Sequence, residues 1–297
     1  MLDDISRRRI ALPANGVEIA VLDWGGDGPL ALLHHANGFG AAVWAPVAER
    51  LRSRFRVVAV DARGHGDSSV PEGADFYRWE NFGSDLLGVA RALTAEHPDG
   101  RIALGLGHSF GGTAFLTAAA SAPGLFDRLV LLDPVIRSQL PEDQTPERRQ
   151  AGRMLADGAR ERREVWPSRD AALAKWCEKP LFEAWDRRAL ELYVGECLRD
   201  RTDGQVELKC RGEIEATIFE SSALFDPWPH AARVTAPTLV LWAQRGDFPR
   251  EVHEALAREL PDGRLLAFAG GHLLAMEQPD RVAALAAAFA AGVEPTG

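Results

Sequence analysis

Residues 107–112 read Gly107-His108-Ser109-Phe110-Gly111-Gly112, behind the aliphatic run Arg101 to Leu106 and ahead of the helical run Thr113 to Ala120. The order is strand, sharp turn, helix, which is the context in which a G-x-S-x-G stretch lifts a serine hydroxyl clear of a sheet. The glycines answer a steric demand, because a serine held in a strained turn brings strand and helix so close that flanking side chains would collide. The bland alternative is a glycine-rich turn whose serine caps the next helix. The stretch therefore acquires chemical meaning only if partners for the serine exist elsewhere in the chain.

Outward from this turn, short aliphatic and β-branched runs alternate with helical patterns: Val17 to Leu22, Leu30 to His34, Phe55 to Asp61, Leu129 to Asp133, Thr238 to Trp242 and Leu265 to Phe268. They are continuously apolar, as expected of parallel strands covered on both faces by helices. The fold class is α/β, with a mostly parallel central sheet flanked by helices. Between Asp133 and Thr238 the alternation breaks, and the chain becomes charged, helical and aromatic, with Trp166, Trp176, Trp185 and Trp228. Residues 1–134 and 229–297 are expected to form the core, and 135–228 a helical cap inserted at a strand's carboxyl end, over the crevice where open α/β sheets bind ligands. Its tryptophans serve either as packing or as apolar walls for a substrate.

A serine hydroxyl is a weak nucleophile at neutral pH, so it needs a base, and the base needs an orienting acid. His272, in Gly270-Gly271-His272, follows the last strand and precedes the final helix, from where a loop histidine can reach the turn. Two acids stand at strand ends: Asp247, which follows Trp242 through Ala243-Gln244-Arg245-Gly246, and Asp133, which is followed by Pro134. Asp247 is the favoured partner, since Asp133 could instead hold the junction to the insertion.

With these residues in place the chain resembles the α/β-hydrolase superfamily, in particular its capped, esterase-like serine hydrolases. Asp61-Ala62-Arg63-Gly64-His65-Gly66-Asp67-Ser68 is similar to the family's D-x-R-G-H-G-x-S and is expected to form a turn. The resemblance implies an oxyanion hole built from the N–H after the nucleophile, Phe110, and an N–H after an early strand. The family's His-Gly-x is replaced here by His35-Ala36-Asn37-Gly38-Phe39. Matching His35 selects Asn37 and matching the glycine selects Phe39; Asn37 is preferred.

The resemblance implies acyl transfer from a carboxylic ester of a small, largely apolar substrate, with Ser109, His272 and Asp247 as the triad and no cofactor. Lactonases, amidases, C–C bond hydrolases and cofactor-free haloperoxidases use the same triad, and a small-molecule receptor with a slow triad is the non-enzyme alternative. Haloalkane dehalogenases and epoxide hydrolases are disfavoured because they carry Asp where Ser109 stands.

Charge and cysteine content narrow the partners. A net charge of -9 makes the surface repel phosphate backbones, so nucleic acid is not an expected partner. Arg7-Arg8-Arg9 is read as a solvated turn ahead of the first strand. Cys177, Cys197 and Cys210 are odd in number and lack CxxC spacing, which suits free thiols in a reducing compartment. The start Met1-Leu2-Asp3-Asp4 resembles no signal peptide, and no run approaches the roughly 18 apolar residues of a membrane span. A cytoplasmic location is the expectation, and oligomeric state is left open. Adjacent His34 and His35 do not suggest a metal site, because neighbours on an extended segment face opposite ways.

Overall fold

The computed structural model describes residues 2, 4–137 and 146–294; the remaining chain ends and residues 138–145 of the expected insertion lie outside the described residues. Strands β1 (Ser6–Leu12), β2 (Val17–Asp23), β3 (Leu30–His34), β4 (Arg56–Val60), β5 (Ile102–His108) and β6 (Leu129–Leu132) precede the insertion. The insertion carries β7 (Val165–Trp166), β8 (Leu198–Asp200) and β9 (Val206–Leu208), and β10 (Thr238–Arg245) and β11 (Gly263–Gly271) follow it. Eight of these form one sheet in the order β1-β2-β4-β3-β5-β6-β10-β11. It is antiparallel at β1–β2 and β2–β4 and parallel from β4 to β11.

The continuous apolar runs are explained by burial on both faces. Leu30 and Leu32 face one core with Val58, Val60, Leu129 and Leu131, while Ala31 and Leu33 face the other with Val57, Ala59, Val130 and Leu132. The first core is closed by α2 (Trp79–Ala95), α3 (Phe110–Ser121) and α9 (Arg250–Glu259); the second is closed by α1 (Ala45–Leu51) and α11 (Pro279–Ala290). In the central strands β3 to β6 successive residues alternate in side and none is exposed, which is why the period of two is invisible in hydrophobicity.

Two expectations need correction. Arg7-Arg8-Arg9 is not a turn but part of β1, paired residue for residue with β2 as Arg7↔Leu22, Arg8↔Val21 and Arg9↔Ala20. As the sheet's edge, β1 tolerates a charged run, and its cations find carboxylates: Arg7 on Glu196 at 2.9 Å and Arg8 on Glu96 at 2.7 Å. The insertion is also not wholly helical. Beside α4 (Pro146–Arg160), α5 (Arg169–Trp176), α6 (Arg187–Glu196) and α7 (Gly212–Ser221), it holds a small antiparallel sheet ordered β7-β9-β8. There Val206 and Leu208 are buried while Glu207 between them is half-buried, a two-residue alternation too short to stand out in sequence.

The Asp61–Ser68 stretch is a hydrogen-bonded turn, as its resemblance implies. Asp61 Oδ1 accepts from Ala41 N (2.7 Å) and Oδ2 from Asp67 N (2.9 Å), while Ser68 Oγ donates to Asp61 O (2.6 Å). Gly66 has φ 49, and a Cβ there would lie 2.0 Å from Asp61 Cγ, so only glycine fits. Arg63 is buried and grips Asp85 of α2 through two bonds of 2.6 Å each. His65 Nδ1–H donates to Arg63 O (3.1 Å), leaving Nε2 to accept from Gly38 N (3.0 Å). His35 Nε2 likewise accepts from Ala62 N at 2.9 Å. The turn after β4 and the loop after β3 are thus stitched together by neutral imidazoles.

Burial pushes these rings down from 6.5: His34 to about 3, His65 to about 4, and His108 at the end of β5 to about 3, with His35 also well below. The unfolded chain takes up protons below pH 6.5 that the folded chain refuses, so stability is complete above that value and is lost as pH falls toward 4. Urea unfolding followed at pH 7, 6 and 5 is expected to show unfolding free energy falling more steeply than ~1.4 kcal/mol per pH unit near pH 5, more than one proton's worth. A flat response over that range would contradict the neutral, buried state of this cluster.

Candidate active site

Ser109 sits between β5 and α3 with φ 55 and ψ -120, one of two non-glycine residues with positive φ among those described. The turn is possible because its neighbours lack side chains. A Cβ on Gly107 would fall 2.6 Å from Gly111 O and Gly112 Cα, and one on Gly111 would fall 2.5 Å from His34 O and 2.6 Å from His35 O. Ser109 N donates to Leu132 O (2.8 Å), and Gly112 N closes back on Ser109 O (2.9 Å), fixing the turn between β6 and the first turn of α3. The side chain caps nothing; instead its Oγ lies 2.9 Å from His272 Nε2.

His272 arrives from β11. Its ring is oriented on the other side by Asp133, whose Oδ2 is 2.7 Å from Nδ1. Its backbone O accepts from His108 Nε2 at 2.8 Å, which ties the loop to the residue preceding the serine. Phe248 meets the imidazole edge-on, with ring centroids 5.4 Å apart.

The carboxylate beside His272 is therefore Asp133, and the expectation of Asp247 is corrected. Asp133 has φ 43 and is fully buried, the other non-glycine residue with positive φ among those described. Because β6 stops at Leu132 while β10 runs on, Asp133 N donates to Leu241 O (2.8 Å) and the next free amide of β10, Ala243 N, donates to Asp133 Oδ1 (3.0 Å). The backbone kink turns the carboxylate across the strand ends to the histidine. Oδ1 also has His253 Nε2 of α9 at 3.5 Å, a fully buried ring whose pKa burial lowers. Asp247 instead lies on an exposed loop folded by a bond from Trp242 Nε1 to Phe248 O (2.9 Å), and no bond joins it to His272. That loop presents Phe248, not Asp247, to the imidazole.

In the loop after β3 the backbone amides of Asn37 and Phe39 differ in their partners. Phe39 N is engaged, donating to Ala36 O at 3.2 Å, and Gly38 N is engaged with His65. Among the described residues Asn37 N has no acceptor, and neither has Phe110 N, which opens α3 and so lacks an intrahelical partner. The Asn37 side chain is turned away, Nδ2 donating to Glu215 O at 2.9 Å. The free amides are those of Asn37 and Phe110.

The segment after β6 carries a dense aromatic group that reaches the loop after β3. Trp176 stacks on Tyr193 (5.0 Å) and Phe182 (5.7 Å), Trp166 meets Trp176 edge-on, and Phe39 of the loop after β3 packs on Trp185 (5.4 Å) and Tyr193 (5.1 Å). Trp228, at the start of α8 (Trp228–Ala231), lies apart from it and donates Nε1–H to Arg137 O at 2.8 Å. The His253 contact is not singled out by the sequence, because it pairs residues more than a hundred positions apart with no local motif to mark it.

No described helix is long and apolar enough to cross a membrane, and no group of three or more His, Cys, Asp or Glu among the described residues is placed to hold a metal.

Comparison with known proteins agrees with this geometry at the level of fold and family. The chain is 39% identical over 108 residues to 2-(acetamidomethylene)succinate hydrolase of Mesorhizobium japonicum, a stretch covering 36% of each protein. It is 38% identical over 130 residues to N-formylmaleamate deformylase of Pseudomonas putida, covering 41% of this chain and 44% of that one. These matched stretches span less than half of each curated relative. Across nearly whole chains, the crystal structure of E-2-(acetamidomethylene)succinate hydrolase superposes with a TM-score of 0.81 at 22% identity, covering 97% of this chain and 100% of that one. The enol-lactonase of Burkholderia xenovorans superposes at 0.67 and 24% identity, covering 95% and 99%. The model of the alpha/beta hydrolase family matches residues 31–285, and the chain belongs to that family.

Proposed function

We propose that this hydrolase acts on a carboxylic ester of a small, largely apolar molecule through Ser109, His272 and Asp133. The observation that carries the reading is the continuous chain of contacts from Ser109 Oγ to His272 Nε2 (2.9 Å) and from His272 Nδ1 to Asp133 Oδ2 (2.7 Å). His272 takes the serine proton as Oγ attacks the carbonyl carbon, and Asp133 holds the imidazole in the tautomer that accepts at Nε2 and stabilises the imidazolium. The carbonyl oxygen, now an oxyanion, is received by the N–H groups of Asn37 and Phe110. His272 then returns the proton to the leaving alcohol, and water, deprotonated by the same ring, releases the acyl group.

The insertion is proposed to act as a substrate-selecting cap. Phe248 against His272, and Phe39, next to Gly38 in the chain and packed on Trp185, support this reading, since apolar and aromatic pockets take small organic groups. A second reading, hydrolysis of an amide-like C–N bond, is favoured by two relatives whose names specify an acetamidomethylene and an N-formyl substrate. The same triad serves both bonds, because the steps differ only in the leaving group.

Ser109→Ala is expected to abolish turnover with folding retained, and a fluorophosphonate to label Ser109 alone by peptide mass spectrometry; a variant retaining more than about a tenth of wild-type activity would overturn the nucleophile. A hydrolysis panel of aliphatic and aromatic esters, enol-lactones and N-formyl or N-acetyl enamides is expected to rank apolar esters first. Preference for the amides would select the second reading.

The two carboxylates separate in the same assay. Asp133→Asn is expected to lower kcat by roughly 10⁴, through loss of the productive tautomer, and Asp247→Asn to change it by less than about threefold. The reverse ranking would return the role to Asp247.

A further inference from the structure

Asn37 and Gly38 lie in the loop between β3 and the helical turn Ala41–Trp44, and this loop is held from two sides. From the core, His65 Nε2 accepts from Gly38 N at 3.0 Å. From the insertion, Tyr193 of α6 donates its hydroxyl to Gly38 O at 3.1 Å, and Glu215 O of α7 accepts from Asn37 Nδ2 at 2.9 Å. Behind these contacts Arg162 donates through Nη2 to the Tyr193 oxygen at 2.7 Å and through Nη1 to the Glu215 carboxylate. Tyr193 and Glu215 are buried.

Gly38 is at φ 81, and a Cβ there would lie 2.5 Å from Glu215 Oε1, so the position admits only the residue with the widest backbone freedom. A glycine free to rotate would loosen the short loop that carries Asn37. Anchoring both its N–H and its C=O removes that freedom. The donation from Arg162 to the phenol oxygen leaves the Tyr193 proton one direction to point, toward Gly38 O, and burial keeps the phenol protonated by raising its pKa.

We propose that Tyr193, oriented by the Arg162–Glu215 pair, is a positioning residue that fixes the Asn37 N–H for the oxyanion, so that the insertion completes the catalytic geometry as well as walling the pocket. The inference rests on the reading of Ser109 as nucleophile and Asn37 N as an oxyanion donor. Removing an oxyanion donor outright costs about 10²–10³ in rate, and loosening one costs less.

Tyr193→Phe keeps the ring stack and deletes the tether. It is expected to lower kcat about tenfold with KM within about twofold of wild type, equally for short and long acyl esters, and to slow fluorophosphonate labelling of Ser109 by a similar factor, because the P=O oxygen occupies the same hole. Glu215→Gln, which keeps the backbone acceptor for Asn37 but dissolves the pair behind Tyr193, is expected to act in the same direction and more weakly. Thermal melting of each variant identifies any that is unfolded at the assay temperature. Labelling and kcat within twofold of wild type in both folded variants, or a loss confined to KM, would overturn the positioning role while leaving the nucleophile intact. Absence of Ser109 labelling in the wild type would instead overturn the nucleophile, and this inference with it.

Discussion

The structure depends on a single backbone demand, the positive φ of Ser109. An L-residue accepts that conformation only where its surroundings over-determine it, at a cost of order 1–3 kcal/mol. Here β6 holds the serine N–H, the first turn of α3 returns to its carbonyl, and two glycines let strand, helix and the loop after β3 approach to contact distance. Gly111 could not carry a side chain without striking His34 and His35, so the same close approach that makes the turn also brings the loop bearing Asn37 alongside it. Ser109 and the free amides of Asn37 and Phe110 are positioned by one packing constraint.

Asp133 shows a second use of positive φ. Had the chain continued as a regular strand, its side chain would have pointed into one of the two cores, where a carboxylate has no partner. The kink exposes it to an amide of β10 and to His272, so the buried charge is met on both oxygens. In the proposed mechanism a buried carboxylate held this way would lose little by reorganisation as an imidazolium formed, which is the physical content of preorganisation.

The elbow and His272 were legible in the sequence because each is a local pattern: glycines around a serine, and a Gly-Gly-His after an aliphatic run. The acid was harder, since Asp133 and Asp247 both follow strands. Deciding between them requires knowing that β6 ends at Leu132 while β10 extends to Arg245, a matter of sheet register that one strand's own residues do not encode. The preference for Asn37 over Phe39 comes from a motif match; among the described residues Asn37 N has no acceptor, whereas Phe39 N donates to Ala36 O. The short sheet in the insertion and the edge strand bearing Arg7 to Arg9 were missed because charged residues on exposed strand faces read as loop.

The joint between α6, α7 and the loop after β3 has a consequence for how such a protein can diversify. Where a lid touches only substrate, it can be exchanged as a module, and specificity can drift without disturbing reactivity. Here Gly38 has been shaped against Glu215, and its carbonyl is satisfied by Tyr193. A graft of a foreign insertion would remove the Tyr193 donor to that carbonyl and the Glu215 side chain beside that glycine, so insertion and loop are expected to be exchangeable only together, as one unit.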